Sequence, residues 1–300
     1  MALPLNGART KVTAKIDVLG LSKVFPSPRG DLHALEDVSL SVQENEFLAL
    51  VGASGCGKST LLRIVGGLEL PSGGEVRVNG RPVTGPGCDR VMVFQDYSLF
   101  PWLTVMENIR FCRLLKAHQQ DSSEADAASA VDRSYALLEL MGLERSKDRY
   151  PNQLSGGMRQ RVAIARALMS RPEVLLMDEP FGALDAQTRE VMHDLILHLF
   201  EIERTTILFV THDVEEAVYL ADRVVVLAPS PGRVDSTHTI HLPPPLQREQ
   251  EIKLAADFIA QKRVILERIR ATSGVQRDLD TIRRLARLSR TSGGTDARSH

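Results

Sequence analysis

Short apolar runs recur through the first 230 residues, and each is followed by a polar or glycine-rich turn. The runs that share this pattern are 47–51 (FLALV), 91–94 (VMVF), 174–177 (VLLM), 207–210 (ILFV) and 224–227 (VVVL). Strands that are apolar on both faces are typical of a buried parallel sheet. Most runs precede a segment with helical spacing. The chain therefore predicts an α/β fold whose ligands bind at the carboxyl ends of the strands.

Other segments alternate between apolar and polar residues, which is typical of half-buried strands. They are 38–42 (VSLSV) and 75–83 (EVRVNGRPV), and the second contains Asn79 and Gly80, a pair that favours a tight hairpin turn. These segments predict a small antiparallel sheet beside the main one.

The strand pattern stops between Gln95 and Leu154, where residues 104–117 and 128–143 have helical spacing. We expect an inserted helical subdomain at about residues 96–157. Three prolines at 243–245 mark a boundary, because proline cannot continue a helix or a strand ladder. Beyond it, 252–271 and 279–288 have helical spacing again. The predicted organisation is an N-terminal extension (1–14), a main domain (15–242) and a basic helical extension (243–300).

Composition indicates an ordinary globular chain, with 43% hydrophobic and 25% charged residues. The net charge of -1 gives no overall attraction to nucleic acid or to an anionic membrane. From Leu246 onward, however, there are 12 Lys and Arg against 7 Asp and Glu. Two interpretations of this basic tail stay open: a solvated helix with frayed ends, or a segment that docks on a partner or on lipid headgroups.

The spacing of the cysteines and the length of the apolar runs indicate in which cellular compartment the protein is expected. Cys56, Cys88 and Cys112 are widely spaced, so they indicate neither a disulfide framework nor a zinc site, and a reducing cytosol is expected. The N-terminal residues lack the apolar core of a secretory signal, and no run of roughly 18 apolar residues occurs. We expect no membrane-spanning segment.

A phosphate-binding loop follows the first buried strand. Residues 52–60 (GASGCGKST) have a glycine, four residues, a second glycine, a lysine and a hydroxyl residue, and they open an apolar helix. Lys58 is expected at the β- and γ-phosphates of a nucleotide, with the Ser59 hydroxyl on magnesium. The alternative is an ordinary strand-to-helix turn. The predicted nucleotide-binding residues of the loop are Gly52, Ala53, Ser54, Gly55, Cys56, Gly57, Lys58, Ser59 and Thr60.

Polar residues follow three further strands at the same expected edge of the sheet. Asp178 would hold magnesium and Glu179 would deprotonate the attacking water, although an acidic pair after a strand also serves as a helix cap. His212 could bond the γ-phosphate, and the Gln95 amide oxygen could complete the magnesium site or position water. The alternative for both is a satisfied polar residue at a strand end.

A second glycine-rich turn, residues 154–158 (LSGGM), lacks a lysine. Ser155 is a good N-cap residue, and Val162, Ala165 and Leu168 follow at helical spacing. The turn therefore lies at the positive end of a helix. It is either an anion site or a merely structural cap.

The six motifs GASGCGKST, Gln95, LSGGM, VLLMDEP, GALD and VTHD occur in the order seen in ATP-binding subunits of ABC transporters, which the chain resembles over roughly residues 15–240. The resemblance implies a P-loop NTPase core, ATP and Mg²⁺ as cofactors, and a head-to-tail pair of subunits. In such a pair, Ser155, Gly156 and Gly157 would cap the γ-phosphate that is bound to the partner's loop. No lysine is needed there, since Lys58 of the other copy supplies the cation.

Further roles are implied by the same resemblance. Phe25 matches an aromatic that stacks on adenine, with core packing as the alternative, and Asp185 matches a loop that crosses the dimer interface. Phe100 and Trp102 would contact an integral-membrane permease subunit, or else belong to the subdomain core. Cys56 is given no catalytic role. Its side chain is nevertheless expected beside the phosphates, so that Mg-ATP would slow its alkylation.

The wording LFPWLTVMENI at 99–109 is most similar to ATPases of nitrate, sulfonate, taurine and bicarbonate importers. This resemblance implies a peripheral subunit on the cytoplasmic face of the inner membrane, permease partners and, indirectly, a solute-binding protein. An ABC exporter ATPase stays open as an alternative. A nucleic-acid remodelling ATPase would need a longer insertion between Gln95 and Leu154, and a protein that binds ATP without hydrolysis would not need Glu179 and His212. Nucleic acid is therefore not an expected partner.

Overall fold

The computed structural model describes residues 14–28, 30–114 and 124–272. The strands, in chain order, are β1 (Ile16–Phe25), β2 (Leu32–Val42), β3 (Phe47–Gly52), β4 (Gly73–Val78), β5 (Arg81–Pro82), β6 (Arg90–Val93), β7 (Val174–Asp178), β8 (Thr206–Val210), β9 (Arg223–Ala228) and β10 (Arg233–Thr239). The α-helices are α1 (Lys58–Val65), α2 (Val105–Arg110), α3 (Glu124–Leu140), α4 (Gly156–Met169), α5 (Ala186–Glu203), α6 (Val214–Leu220) and α7 (Ala256–Thr272).

All five apolar runs belong to the larger sheet, whose strand order within the described residues is β10-β9-β3-β8-β7-β6. Neighbouring strands from β9 to β6 are parallel, and β10 is antiparallel to β9 at the edge. Every residue of β3, β7 and β8 is buried, because both faces of the sheet are covered. The predicted α/β fold is confirmed.

The alternating segments form the smaller sheet, with the order β2-β1-β4-β5 and antiparallel pairing throughout. Asn79 and Gly80 both have positive φ, 53° and 72°, as a two-residue hairpin turn requires. The buried face of this sheet packs on α1, where Leu61 and Leu62 are fully buried. The predicted antiparallel sheet and its hairpin are therefore confirmed.

Helices α4, α5 and α6 cover the opposite face of the larger sheet. The core there includes Phe47, whose ring meets Phe200 and Phe209 edge-on at centroid distances of 5.5 and 6.0 Å. Burial of one such side chain stabilises the fold by about 2–3 kcal/mol relative to an exposed position. This packing fixes the sheet edge on which the candidate site lies.

The inserted helical segment differs in detail from the prediction. Helix α2 begins at a Thr104–Glu107 capping box, as expected near residue 104, but it ends at Arg110. The Phe111 N–H bonds the Asn108 carbonyl, so the chain tightens into a 3-10 turn over Phe111–Leu114. Helix α3 covers most of the second predicted helix, and it begins earlier, at Glu124.

The start of the C-terminal extension packs against the main core. Phe258 and Ile265 of α7 are fully buried among residues of α6 and β9. For residues 256–272, the interpretation of a merely solvated helix is therefore wrong, because the apolar side of α7 completes the core. The predicted helix at 279–288 and the extension at 1–13 lie outside the described residues.

Helix length and polarity bear on membrane insertion. Among the described residues, no helix combines the length and the apolar character that crossing a bilayer requires.

Candidate functional site

A cavity of about 1010 Å³ lies at the carboxyl ends of the parallel strands, between the two sheets. The predicted site residues that line it are Phe25, Ser54, Gly55, Gly57, Lys58, Ser59, Thr60, Gln95, Glu179 and His212. They come from the end of β1, from the loop and the start of α1 after β3, and from the loops after β6, β7 and β8. The sheet topology thus brings together residues that are up to 187 positions apart in the chain.

The phosphate loop depends on its glycines for its shape. Gly52 has a φ of 153°, and a Cβ there would lie 2.5 Å from the Leu227 carbonyl oxygen. Gly57 has a φ of 93°, and its Cβ would lie 2.7 Å from the Ala34 carbonyl oxygen. Neither position accommodates a side chain. The loop therefore turns tightly, and the N-terminus of α1, which attracts anions, borders the cavity.

Lys58 is the first residue of α1, and it is 6% exposed. Its Nζ donates to the Gly52 and Ala53 carbonyl oxygens, at 2.9 and 3.1 Å. These bonds hold the ammonium group inside the loop, on the wall of the cavity. A phosphate group in the loop would meet this charge together with the N-terminus of the helix.

Three of the predicted loop residues, Gly52, Ala53 and Cys56, do not line the cavity. Cys56 is fully buried, and its side chain packs in the core between the smaller sheet and α1. The expected position of its thiol beside the phosphates is therefore wrong. The physical reason is packing: the thiol is buried on the inner side of the loop, where its Sγ lies 3.7 Å from Lys58 Nζ.

Ser59 lines the cavity and contacts Asp178, which does not itself line it. The Ser59 Oγ donates to Asp178 Oδ1 at 2.8 Å, and Asp178 is 4% exposed at the end of β7. Burial is the main cause of the raised pKa of Asp178. The hydrogen bond from Ser59 and the charge of nearby Lys58 lower that pKa in part. A cation beside this carboxylate would offset the cost of its burial.

The oxygen pair fits Mg²⁺. Mg²⁺ prefers hard oxygen ligands and keeps several of its waters, so it needs few protein groups. Across residues 14–28, 30–114 and 124–272, no three His, Cys, Asp or Glu side chains form a cluster that could hold a metal ion. One hydroxyl and one carboxylate, together with phosphate oxygens, suit such an ion.

Glu179 and His212 face each other across the same cavity. The His212 Nδ1 lies 3.0 Å from Glu179 Oε2, and because a carboxylate only accepts, Nδ1 is the donor. Glu179 has a φ of 47°, which is held by the bond from its N–H to the Val210 carbonyl oxygen. The strained turn directs the carboxylate out of the sheet. His212 is exposed, and its Nε2 is free for a ligand in the described structure.

Gln95 and Phe25 lie on the cavity from different elements. Gln95 follows β6 and is exposed. Phe25 is the last residue of β1, and the Lys23 Nζ lies 4.7 Å from the centroid of its ring. Phe25 is half-buried and lines the cavity, which is compatible with a stacking role.

The LSGGM turn lies outside this cavity. Ser155 caps α4, since its Oγ accepts the Met158 N–H at 3.2 Å, and the residue is exposed. Gly156 and Gly157 begin the helix without a positive φ. A Cβ at either position would meet one side chain at 3.2 Å, the Tyr97 hydroxyl or Leu184 Cδ2. The predicted N-cap is thus present on the surface.

Asp185 also caps a helix outside the cavity. It precedes α5 and accepts the Thr188 N–H at 2.9 Å and the Thr188 hydroxyl at 2.8 Å. Those hydrogen bonds lower the pKa of the Asp185 carboxyl. A Cβ on Gly156 would lie 4.0 Å from Ala183 Cβ, so the GALD and LSGGM turns are neighbours on one surface.

The segment after Gln95 is tied to α4. Arg166 donates to the Ser98 and Tyr97 carbonyl oxygens, at 2.7 and 3.1 Å. Both accepting residues have positive φ. The Arg166 guanidinium also lies 5.5 Å from the Phe100 ring centroid. Trp102 is 70% exposed beside Phe100, so it is not part of the subdomain core.

Part of the cavity wall was not predicted from the sequence. The additional lining residues are Asp31, Leu32, His33, Ala34, Glu36, Ser230 and Pro231. They lie on or before β2 and in the β9–β10 turn, which no local pattern connects to the phosphate loop. The Leu35–Gly232 bridge between these segments brings them together.

Comparisons with known proteins agree with this geometry. Residues 35–182 match the ABC transporter family. The nitrate import ATP-binding protein NrtD of Synechocystis sp. is 47% identical over 247 residues, which are 81% of this chain and 90% of that protein. The chain belongs to the ABC transporter family. The bicarbonate transport ATP-binding protein CmpD of Synechocystis sp. is 45% identical over 80% of this chain and 84% of its own length.

A solved structure shows the same ABC cassette fold. The ATP-binding cassette MJ0796, a dimer in a post-hydrolysis state with bound ADP and Pi, has a TM-score of 0.67 and 33% identity. The match covers 76% of this chain and 99% of that one. The P-loop NTPase core with its antiparallel and helical parts is thus confirmed. As an ABC family ATPase, the protein uses ATP and Mg²⁺.

Proposed function

We propose that the protein is the ATP-hydrolysing subunit of an importer for a small anion such as nitrate, a sulfonate, taurine or bicarbonate. The observation that carries this proposal is one cavity in which a phosphate loop, a Ser59–Asp178 oxygen pair and a Glu179–His212 pair converge. The similarity of the chain to NrtD and CmpD, whose names state nitrate import and bicarbonate transport, favours an importer over an exporter.

The nucleotide would lie along the cavity. In this arrangement the adenine stacks on Phe25 at the outer end, and the phosphates bind in the loop of residues 52–60. Backbone donors at the start of α1 hold the phosphate oxygens, and Lys58 faces the β- and γ-phosphates. The bonds of Lys58 to the loop carbonyls support this placement, since they aim the ammonium group at the anion.

Mg²⁺ would be held by Ser59 and Asp178, with Gln95 as a further oxygen ligand or water-positioning group. When bound, Mg²⁺ neutralises charge on the β- and γ-phosphates during their separation. The raised pKa of Asp178 supports this assignment, because a buried carboxylate gains from a nearby cation.

Hydrolysis would depend on Glu179 as the general base. Its carboxylate takes a proton from the attacking water, while His212 holds the γ-phosphate and donates Nδ1–H to Glu179. That hydrogen bond orients both side chains. Product release then follows the transfer of the phosphoryl group to water.

A second copy of the chain would complete each site. Ser155, Gly156 and Gly157 of one copy cap the γ-phosphate that the other copy binds, and Asp185 lies at the interface beside them. Ser155 and Asp185 are exposed, Gly156 and Gly157 are half-buried, and all four lie outside the cavity of their own chain, which supports the head-to-tail arrangement. The dimeric cassette structure is consistent with such pairing.

The permease subunits would bind at Phe100 and Trp102, on the surface that follows Gln95. A solute-binding protein joins the assembly indirectly, and the ATPase lies on the cytoplasmic face of the inner membrane. In this organisation residues 15–242 are the ATPase domain, with a helical subdomain at about 96–157. Residues 1–14 and 243–300 are extensions.

The test is purification of the native complex and its reconstitution in liposomes. We expect co-purification of a membrane subunit, and Mg-ATP enclosed inside the liposomes should drive uptake of nitrate, bicarbonate or a sulfonate from the outer solution, with chloride as the control. A Glu179→Gln complex should bind Mg-ATP normally and lose at least about 100-fold in turnover. Hydrolysis within a few fold of the parent would exclude Glu179 as the base, and outward transport would contradict import.

A further inference from the structure

The helix that follows His212 is enclosed by the C-terminal extension. Helix α6 has seven residues, Val214–Leu220, and a helix of this length has no stable orientation without tertiary contacts. Phe258 of α7 is fully buried in the cluster that also contains Val214 and Val218. The extension therefore provides a substantial part of the surroundings of α6.

Two lysines of the extension converge on the first turn of α6. Lys262 forms an ion pair with Glu215 Oε2, and the Lys253 Nζ lies 3.7 Å from Glu215 Oε1. The hydrogen bond from Lys262 is the largest cause of the lowered pKa of Glu215, and partial burial acts in the opposite direction. The Lys253 Nζ also lies 4.9 Å from the Tyr219 ring centroid. The acidic start of α6 is thus held by cations that come from the extension.

Another residue of the extension holds the opposite end of α6. Arg248 is 7% exposed and donates to the Tyr219 and Leu220 carbonyl oxygens, at 2.8 and 3.1 Å. These are carbonyls at the negative end of the helix, where a cation is favourable. The Tyr219 hydroxyl donates to Asp194 Oδ1 at 2.7 Å, and its oxygen also lies 3.2 Å from the Arg248 carbonyl oxygen. Both ends of α6 are therefore fixed by residues beyond the proline boundary.

The first turn of α6 is connected to His212 through short hydrogen bonds. Asp213 Oδ1 accepts the Glu215 N–H at 2.8 Å. The Glu216 carboxylate accepts the Thr211 hydroxyl at 2.7 Å, and Thr211 Oγ1 accepts the Asp213 N–H at 3.0 Å. His212 lies between two residues of this network. A shift of the first turn would therefore move His212 relative to Glu179.

We infer that the C-terminal extension positions His212 for ATP hydrolysis by holding both ends of α6. Lys253, Lys262 and Arg248 are positioning residues that act through α6 and do not touch the nucleotide. This inference rests on the proposed role of His212. It assigns the extension a part in the ATPase reaction, and it explains why an arrangement of cations surrounds this short helix.

The experiment compares full-length variants by steady-state kinetics with Mg-ATP. The double change Lys253→Gln/Lys262→Gln should lower kcat about five- to tenfold, with KM and nucleotide affinity unchanged within about twofold. The Arg263→Gln control lies on the same helix in an exposed pair with Glu267 and should keep the parental kcat. Lys262→Arg should also keep kcat within about twofold, since it retains the charge.

Folding is monitored by thermal unfolding, because the Lys262 side chain is one-third exposed but that of Lys253 is only 14% exposed, so that the double change can lower Tm. If Tm falls strongly, the exchanged pair Lys262→Glu/Glu215→Lys is tested, and it should recover kcat relative to Lys262→Glu alone. The absence of that recovery would overturn the inference. An unchanged kcat in the two-lysine variant would do so as well.

A second comparison separates positioning from a general structural effect. Single-turnover hydrolysis is measured in a His212→Gln background with and without the two lysine changes. If the lysines act through His212, their loss has less than about a twofold effect there. An equal loss in both backgrounds would overturn the inference. Failure of the parent protein to hydrolyse Mg-ATP would instead contradict the proposed function itself.

Discussion

Two glycine-rich turns open helices in this protein, and they differ in what their glycines do. In the phosphate loop before α1, Gly52 and Gly57 have positive φ, and a Cβ would collide with backbone carbonyl oxygens. In the LSGGM turn, Gly156 and Gly157 have helical backbone angles, and a Cβ would meet only side chains, at 3.2 Å. The first turn lines the cavity, whereas the second lies outside it.

The difference indicates where each turn finds its ligand. The phosphate loop needs glycine in order to fold around an anion within its own chain, and it supplies a lysine for that anion. The backbone of the LSGGM turn does not require glycine. We therefore interpret its two glycines as making room for a nucleotide that another copy brings to the exposed start of α4. This interpretation also accounts for the absence of a lysine.

The largest expected contrast is in nucleotide binding by the isolated chain. Lys58→Ala removes the cation from the loop and should weaken Mg-ATP binding about 100-fold, or about 2.7 kcal/mol. Ser155→Arg should leave binding within about twofold, because Ser155 lies outside the cavity of its own chain. Titration calorimetry at concentrations where the chain is monomeric measures both. Equal weakening by the two changes would remove the distinction between the turns.

A smaller contrast is expected in folding stability. Gly57→Ala should lower the free energy of unfolding by about 2 kcal/mol or more, because φ is 93° and the Cβ would lie 2.6 Å from Leu35 Cδ2. Gly157→Ala should change it by less than about 1 kcal/mol, since alanine's higher helix propensity offsets a close contact with Leu184. Urea unfolding of both variants checks the prediction.

In the same pair of variants, Gly157→Ala should nevertheless impair ATP-dependent dimer closure, because a Cβ at the turn obstructs the approach of the partner's nucleotide. Crosslinking across the interface measures closure independently of stability. If Gly157→Ala is as destabilising as Gly57→Ala, both turns require glycine for folding, and the comparison fails.

The smallest expected effect concerns Cys56. Its thiol is fully buried in the core, so alkylation in the folded protein should be slow and should change less than about twofold on addition of saturating Mg-ATP. Exposed Cys88 is the internal control for reagent activity. Rapid labelling of Cys56 that nucleotide suppresses would show that the thiol faces the cavity after all.

Local patterns were sufficient to predict the strands and much of the site. Runs that are apolar on both faces, such as 47–51 and 207–210, are typical of central strands in a parallel sheet. The carboxyl ends of such strands meet at one edge, so the polar residues that follow them could be placed there. Cys56 was misplaced because motif spacing identifies a loop but does not give the direction of each side chain. The outer wall at Ser230 and Pro231 was missed, since its position depends on long-range pairing of Leu35 with Gly232.

The C-terminal extension also shows that local sequence patterns do not predict long-range contacts. Helical spacing predicted a helix within 252–271, and α7 is present at Ala256–Thr272. The burial of Phe258 and the contacts of Lys262 with Glu215 depend on where α6 lies, which periodicity does not encode. Sequence reasoning therefore identified the parts of the site, whereas their mutual support required the three-dimensional structure.

The most direct test of the central claim mixes Ser155→Arg chains with Lys58→Ala chains. If LSGGM serves the partner's nucleotide, the mixed dimer has one site with both defects and one site with neither. ATP-dependent crosslinking across the interface should then detect closure in the mixed dimer and in neither homodimer. If LSGGM serves its own chain's nucleotide, every site carries one defect. A correctly assembled mixed dimer that closes no better than either homodimer, at matched concentration and saturating Mg-ATP, would contradict the account.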